Sequence, residues 1–213
     1  MAIARCGAPV SRIVRDVADL DALFEEAVEL LVWSREPLSD ASLAPLESRA
    51  PGARLLRVAP HGQRATVEDW LGLPDPGPAR ALWESVEVFG DLTGAAEIGI
   101  RLAVTSDSTC PRMHVDRVAL RACCTWVGPG TQWVDPAYVA DRARLGHGAG
   151  GRDDLVSGLL VSDAVLEEVP RFAVAFFKGE AWPGMAGRGV VHRSPPPHGA
   201  KRVMWTLDAL MTP

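Results

Sequence analysis

Short apolar segments separated by turn residues run through the second half of the chain. Over residues 98–104, large aliphatic residues alternate with glycine, arginine and alanine, which is the two-residue period of a strand. We predict further strands over 114–127, 172–178, 189–193 and 202–207, with glycine, proline and aspartate between them. Repeated short strands with such punctuation favour a β-sandwich or a jelly roll over a parallel α/β sheet.

The first part of the chain has a different pattern. Apolar residues recur at helical spacing over 19–34, which predicts an amphipathic helix that ends before Pro37. Prolines are frequent over 37–80, so we expect short helices and loops there, including a helix over 67–73. A further helix is predicted over 78–89.

These patterns predict a mainly β fold with N-terminal helices. A helical or irregular part over 1–94 is expected to pack on a jelly-roll core over 95–213. A chain of 213 residues is most simply one domain.

Charge and cysteine usage limit the functional classes. The formal net charge of −5 at pH 7 argues against non-specific nucleic-acid binding, which needs a basic surface. The N-terminus lacks the apolar core of a signal peptide, and the longest apolar runs are too short to cross a bilayer. Cys6, Cys110, Cys123 and Cys124 have no CxxC spacing, which favours reduced thiols over a disulfide framework. We therefore expect a cytoplasmic protein that binds neither nucleic acid nor membrane, and its oligomeric state is left open.

Two histidines and one aspartate form the clearest candidate site. His114 and Asp116 are separated by one residue, so in a strand both side chains point to the same face. His192 ends a later predicted strand. Two histidines and one carboxylate are the ligand set that holds non-haem Fe(II) with open coordination positions. The alternative is a structural role for all three, because a lone histidine on an apolar strand is commonly a core residue.

The long connection over 128–154 contains the pattern GxGxxG at Gly146, Gly148 and Gly151. No strand directly precedes it and no βαβ unit surrounds it, so dinucleotide binding is not indicated. The length of the connection favours a functional loop, such as a mobile lid.

The spacing of His114, Asp116, His192 and Arg202 resembles that of the Fe(II)/2-oxoglutarate-dependent oxygenases, whose core is a double-stranded β-helix. The resemblance implies Fe(II) held by the first three residues. It also implies that Arg202, ten residues after His192, binds the far carboxylate of 2-oxoglutarate. A guanidinium suits this role because it is always charged and donates two parallel hydrogen bonds to a carboxylate.

The strand that Arg202 opens offers a second candidate contact. Alternation places Arg202, Met204 and Thr206 on one face, so the Thr206 hydroxyl can also reach the cosubstrate. Many members of the superfamily carry serine where this chain has Met204. A shift of one residue in register puts Lys201 in the place of Arg202.

The chain also resembles an uncharacterised bacterial family, DUF1826, over most of its length. The resemblance rests on CPRMHVD at 110–116, FKG at 177–179, HRSP at 192–195 and WSR at 33–35. It implies gene neighbourhoods for zinc homeostasis, and therefore zinc binding or a role in metal supply.

Two further residues are candidates for the site. Cys110 lies four residues before His114, where it is either a metal ligand or a buried apolar residue. Lys178 ends an apolar strand, so pointing inward it holds an anionic substrate or cosubstrate, and pointing outward it is a strand end.

Three functions remain open from the sequence. The first is an Fe(II)/2-oxoglutarate-dependent dioxygenase that hydroxylates a small molecule or another unknown substrate. The second is a cupin-like zinc-binding protein of metal homeostasis without oxygenase activity. The third is a metal-free interaction module on a jelly roll.

Overall fold

Two β-sheets form the centre of the computed structural model, which describes residues 10–196 and 199–210. The larger sheet has seven strands in the order β1-β2-β8-β5-β10-β4-β3. Its neighbouring strands are antiparallel, except for the parallel pair β1 and β2. These strands are β1 (Ser11–Val14), β2 (Leu30–Trp33), β3 (Gly52–Val58), β4 (Glu97–Thr105), β5 (Leu120–Val127), β8 (Val174–Lys178) and β10 (Arg202–Leu210).

The smaller sheet has three antiparallel strands in the order β7-β6-β9. They are β6 (Gln132–Val134), β7 (Leu166–Glu168) and β9 (Val191–Arg193). Within the described residues the two sheets do not close into a barrel. Cys6, named among the reduced thiols, lies outside the described residues.

Three α-helices come from the first half of the chain: α1 (Asp40–Glu47), α2 (Arg64–Leu71) and α3 (Gly77–Thr93). The helices predicted over 67–73 and 78–89 are confirmed as α2 and α3. At the start of α1, the Ser39 side chain accepts the backbone N–H of Ser42 at 3.2 Å. Gly94 ends α3 in the left-handed conformation, with φ of 64°. None of the described helices is long and apolar enough to cross a lipid bilayer.

The sheets and helices form layers, and three clusters of apolar side chains pack between and around these layers. One cluster joins the large sheet to the helices and includes Trp126 of β5 and Phe89 of α3. A second cluster lies between the two sheets, with Phe177 of β8 against Trp133 of β6. A third cluster, around Leu159, lies on the outer side of the small sheet. The sheets therefore face each other across a packed interior, as in a jelly roll.

The helix predicted over 19–34 is wrong. A 3-10 helix covers Val17–Phe24, and residues Leu30–Trp33 form the buried strand β2. Leu31 and Trp33 pack on the helix side of the sheet, whereas the alternate residues pack between the sheets. A strand buried on both faces is apolar at every position, and this run also fits a helical stripe.

The first 94 residues also contribute more strand than predicted. The strand β3 lies in a segment expected to hold only helices and loops, and β1 was not predicted. β3 is an edge strand whose residues are mostly exposed, so it lacks the apolar alternation that marks a half-buried strand. Three N-terminal strands are therefore part of the large sheet itself.

Candidate metal centre

His114 and His192 face each other across an isolated antiparallel bridge. The backbone N–H of each residue donates to the carbonyl oxygen of the other, at 3.0 Å in both directions. Residues paired in this way project to the same face, and the two ring centroids lie 4.4 Å apart. On its other side His192 pairs with Trp133 of β6, so its backbone is fixed from both sides. The strand predicted from residue 114 begins only at Leu120, and the bridge replaces it as the element that positions His114.

Asp116 brings a carboxylate to the same point. Its Oδ2 lies 3.5 Å from Nε2 of His192, and its Oδ1 lies 3.9 Å from Nε2 of His114. One donor atom from each of the three residues lies within 4.8 Å of the other two. Donors about 2.1 Å from a shared ion are roughly 3.0 to 3.4 Å apart in octahedral or tetrahedral geometry. Small side-chain movements therefore bring these three groups onto one ion.

Backbone carbonyl oxygens orient both imidazoles. Nδ1 of His114 lies 2.8 Å from the carbonyl oxygen of Arg112, and Nδ1 of His192 lies 2.9 Å from that of Val190. Because a carbonyl oxygen only accepts, each Nδ1 carries the hydrogen and each Nε2 presents its lone pair. Burial lowers the pKa of His192 to about 4, against the attraction of Asp116. The ring is therefore neutral at neutral pH, which is the form that binds a metal.

The two oxygens of Asp116 have different surroundings. Arg121 donates to Oδ1 at 2.6 Å and is itself held by Asp208 through hydrogen bonds of 2.8 and 3.1 Å. Oδ2 is buried and has no hydrogen-bond partner among the described residues. An unpartnered buried carboxylate oxygen is costly, and a cation shared with the two Nε2 atoms satisfies it. The donor set therefore fits a divalent metal such as Fe(II).

The loop that carries Asp116 lies directly against Gly179. The backbone N–H of Gly179 donates to Ala119 at 2.9 Å, and that of Glu180 donates to Asp116 at 2.9 Å. A Cβ on Gly179 would overlap the carbonyl oxygens of Val118 and Asp116. Only glycine allows this approach, which explains the glycine in the segment FKG.

Asp154 connects the segments on which the two histidines lie. Its Oδ2 accepts the backbone N–H of Met113 at 2.7 Å. The same carboxylate lies 3.5 Å from Nη1 of Arg193 and 3.8 Å from Nη1 of Arg112. The Asp154 side chain is only 1% exposed. It therefore joins a neighbour of His114 to a neighbour of His192.

A cavity of about 270 Å³ lies beside the three donors, and both imidazoles line it. Strand alternation supplies two of its walls. Arg121 and Cys123 come from β5, and Met204, Thr206 and Asp208 come from β10. The same faces of these strands thus carry the residues around the candidate metal centre.

Arg202 is buried behind this cavity and is 4% exposed. Its Nε donates to the carbonyl oxygen of Pro129 at 2.8 Å, and its Nη2 donates to the hydroxyls of Thr125 and Thr131 at 3.0 and 3.1 Å. In the described part of the chain, Nη1 donates to the Met204 sulfur alone, at 3.3 Å, and a thioether is a weak acceptor. Among the described residues no carboxylate pairs with Arg202. Thr131 and Met204, which contact Arg202, line the cavity, so the guanidinium lies directly behind these two residues.

Thr206 and Lys201, the other two candidates near Arg202, lie in different surroundings. Thr206 lines the cavity, although the hydroxyls that contact Arg202 belong to Thr125 and Thr131. Lys201 points elsewhere, because its Nζ donates to the carbonyl oxygens of Glu47 and Arg49 at 2.8 and 2.9 Å. The alternative register with Lys201 in place of Arg202 therefore does not occur.

The structure does not bring Lys178 or the Cys110 sulfur to the three donors. Lys178 lines a different cavity, because in β8 it is Phe177 that faces His192, with ring centroids 4.7 Å apart. Cys110 is exposed at the 270 Å³ cavity. Its sulfur is not among the converging donor atoms in the described part of the chain, so a fourth protein ligand from Cys110 is absent there.

Several residues of the site were missed from the sequence. Alternation along β10 continues from Arg202 through Thr206 to Asp208, so the same argument extended by two residues finds Asp208. Arg121 pairs with Asp208 in the sheet register, and strand pairing cannot be read from one sequence. Asp154 lies in a loop, where no periodicity marks it.

The fold is similar to the double-stranded β-helix fold of a solved 2-oxoglutarate-binding dioxygenase. The protein is similar to the dioxygenase for auxin oxidation 1 from Arabidopsis thaliana in its complex with 2-oxoglutarate, with 12% identity, a TM-score of 0.51, and coverage of 95% of this chain and 92% of that one. A prolyl-4-hydroxylase from Pseudomonas putida is similar at 13% identity and a TM-score of 0.44, over 90% of this chain and 97% of that one. A 2-oxoglutarate–Fe(II) oxygenase family protein from Burkholderia pseudomallei has 14% identity and a TM-score of 0.42, over 92% of each chain.

The chain belongs to the family described as protein of unknown function DUF1826, whose model matches residues 14–208. This confirms the family resemblance of the sequence. Among curated protein sequences none matches the chain significantly.

Proposed function

We propose that this protein is an Fe(II)/2-oxoglutarate-dependent oxygenase that hydroxylates a small molecule or another substrate. One observation carries the proposal. A cavity between the sheets lies beside three converging metal donors, and a buried arginine with no carboxylate partner among the described residues lies behind Thr131 and Met204, which line that cavity. The first feature suits a divalent metal with open positions, and the second suits an anionic cosubstrate.

In this proposal His114, Asp116 and His192 hold Fe(II) through two neutral Nε2 atoms and one carboxylate oxygen. Arg121 orients the Asp116 carboxylate through its hydrogen bond to Oδ1. When bound, Fe(II) and 2-oxoglutarate would supply the oxidising chemistry, in which the cosubstrate loses CO₂ to become succinate, and one oxygen atom of O₂ goes to succinate and the other to the hydroxylated substrate.

Arg202 has the role of binding the far carboxylate of 2-oxoglutarate. Thr125 and Thr131 fix its guanidinium, and Nη1 has no strong acceptor among the described residues, so that group is assigned to an anion. Thr206 is a further hydroxyl on the same wall. Phe177 packs against the His192 ring and limits water at that side.

The zinc-binding alternative uses the same three donors. It lacks Cys110 as a fourth ligand among the described residues, and it assigns no role to the unpaired Arg202. These two points favour the oxygenase proposal over a closed structural zinc site, which takes four protein ligands.

The test is anaerobic addition of Fe(II) and 2-oxoglutarate to protein purified without a chelator or a polyhistidine tag. We expect a visible metal-to-cosubstrate charge-transfer band, and succinate formation once air is admitted. His192→Ala should abolish both signals. Arg202→Met should keep stoichiometric Fe(II) and lose the band at cosubstrate concentrations that saturate the wild type, and Arg57→Met on the exposed edge strand is the matched control.

Two results would contradict the proposal. Stoichiometric metal with no response to 2-oxoglutarate, and no effect of Arg202→Met, favours the zinc-binding protein. Failure to bind any divalent metal, with His114→Ala altering only stability, favours the metal-free interaction module.

A further inference from the structure

A second cavity, of about 920 Å³, lies on the other side of the loop that carries Asp116. Residues 117–120 of this loop form one wall, and residues 181–185 with Arg188 form another. Phe24 of the 3-10 helix, Ala209 of β10 and the end of α3 also line the cavity. This cavity shares no lining residue with the one beside the metal donors. Its volume lies within the range of small-molecule sites, roughly 300–1,000 Å³.

The walls of this second cavity are mainly apolar. The Trp182 ring packs against Phe24 with a centroid separation of 5.8 Å, although Phe24 itself is 58% exposed. Met185 and Leu120 are buried beneath them. An exposed aromatic at the rim of an apolar cavity is a surface that a ligand can cover.

One buried cation interrupts these apolar walls. Lys178 is 2% exposed, and its Nζ donates one hydrogen bond, to the carbonyl oxygen of Glu25 at 3.1 Å. The ammonium also lies 5.0 Å from the centroid of the Trp182 ring. An ammonium has three donors, so two hydrogens of Lys178 have no acceptor in the described part of the chain.

The charges around Lys178 leave it without a partner carboxylate. The nearby buried Glu29 forms an ion pair with Arg188, and Lys178 forms none among the described residues. Burial lowers the pKa of Lys178, and the charge of Glu29 only partly opposes this effect. Arg117 at the rim adds positive charge, against one exposed carboxylate, Glu26. The lining therefore has an excess of positive charge inside an apolar enclosure.

We propose that this cavity binds an apolar monocarboxylate, with the carboxylate on the Lys178 ammonium and the hydrocarbon between Trp182, Phe24 and the β10 wall. The carboxylate supplies the acceptors that Lys178 lacks, and the hydrocarbon covers the exposed part of Phe24. A neutral apolar molecule would give the buried Lys178 ammonium no charged acceptor. A small polar anion would leave the apolar walls of the cavity in contact with water.

The experiment is calorimetric titration of the metal-free protein with hexanoate, octanoate and decanoate, with octan-1-ol as the neutral analogue. We expect saturable 1:1 binding whose Kd falls about tenfold for every two methylenes, because each methylene leaves water. Octanoate should bind at least tenfold more tightly than octan-1-ol.

Two variants test the location of the site. Lys178→Met keeps the apolar stem, and should weaken octanoate at least tenfold while leaving octan-1-ol unchanged. Lys201→Met is the matched control, because Lys201 is the other lysine, also donates to backbone carbonyl oxygens, and lies outside the cavity. Ala209→Phe fills the cavity and should remove binding of both ligands, with Lys178 retained. Thermal melts establish that each variant is folded.

Equal affinity for octanoate and octan-1-ol, or no effect of Lys178→Met in a folded variant, would overturn the proposal, as would the absence of saturable binding by any alkanoate. None of these measurements uses a metal, 2-oxoglutarate or O₂. Failure here therefore leaves the proposed oxygenase function untouched, and the converse also holds.

Discussion

Arg202 and Asp116 each have one buried polar group without a strong hydrogen-bond partner in the described structure. Oδ2 of Asp116 has no hydrogen-bond partner among the described residues, and Nη1 of Arg202 faces only a sulfur atom. Both side chains are at least nine-tenths buried. Buried polar groups of this kind are destabilising unless a ligand completes them, so both residues are consistent with binding rather than with packing alone.

The geometry of Arg202 predicts that lysine cannot replace it. An ammonium is a single point charge and cannot donate to Thr125, Thr131 and a carboxylate in the planar arrangement of a guanidinium. We expect Arg202→Lys to raise the Kd for 2-oxoglutarate at least tenfold, since a charged hydrogen bond contributes about 1.5–3 kcal/mol. Metal content should stay unchanged. Cosubstrate titration of the Fe(II) protein measures the effect, with Arg57→Lys as the surface control, and an unchanged Kd would contradict the role given to Arg202.

We predict that Asp154 affects metal affinity only by positioning the segments that carry the two histidines. Asp154→Asn can still accept the N–H of Met113, but it loses the charge that faces Arg112 and Arg193. Substitution of residues that support metal ligands in this way typically lowers metal affinity about 10- to 100-fold. We therefore expect Asp154→Asn to lower the metal affinity, measured by chelator competition, at least tenfold. Asp153→Asn is the matched control, because Asp153 is exposed and contacts only the local backbone at Leu155. Equal metal affinity of the two variants would mean that Asp154 has no positioning role.

At the scale of elements, the loop that carries Asp116 depends on β8. The backbone N–H groups of Gly179 and Glu180 donate hydrogen bonds to the loop. Because Gly179 has no side chain, the loop can lie directly against it. The metal donors are therefore positioned by one bridge between two histidines and one backbone contact at the end of β8. Neither element is a regular strand pairing.

This contact predicts that Gly179→Ala impairs the metal site. The added Cβ overlaps the carbonyl oxygens of Val118 and Asp116, so the loop must move. We expect at least a tenfold loss of metal affinity, and about 1–3 kcal/mol lower stability from overpacking. Chelator competition and denaturant unfolding measure the two effects. Gly52→Ala on the edge strand is the control, because a Cβ there has open space around it, and a Gly179→Ala protein with wild-type metal affinity would refute the prediction.

At the scale of the whole molecule, the two sheets come together at the donors. His192 lies on the small sheet, His114 lies on the bridge beside it, and Arg121 extends from the large sheet to Asp116. A metal ion bound here cross-links the two sheets. If the metal ion binds only the native state, its binding free energy adds to the free energy of unfolding.

This arrangement predicts that metal raises the melting temperature. At a free metal concentration of 100 times the Kd, linkage adds about 2.7 kcal/mol, which corresponds to roughly 5–10 °C for a chain of this size. Calorimetry with Fe(II) under anaerobic conditions measures the shift. His192→Ala should melt at the same temperature with and without metal, and an equal rise in that variant would place the binding elsewhere.

The local features of this protein follow directly from its amino-acid sequence. The period of two along 98–104 and 202–207 predicted β4 and β10, and the same alternation brought Met204 and Thr206 to one cavity wall. The HxD spacing and the later histidine identified three donors that do converge. These features depend on side-chain direction within a few residues, which backbone geometry fixes.

Other features depend on how segments distant in the sequence pack together. The tertiary structure placed Lys178 in a separate cavity, made a buried strand of Leu30–Trp33, and joined Arg121 to both Asp116 and Asp208. Each of these outcomes depends on which segments pair across the sheets. A short apolar run is compatible with a helix or a strand until its neighbours bury one or both of its faces.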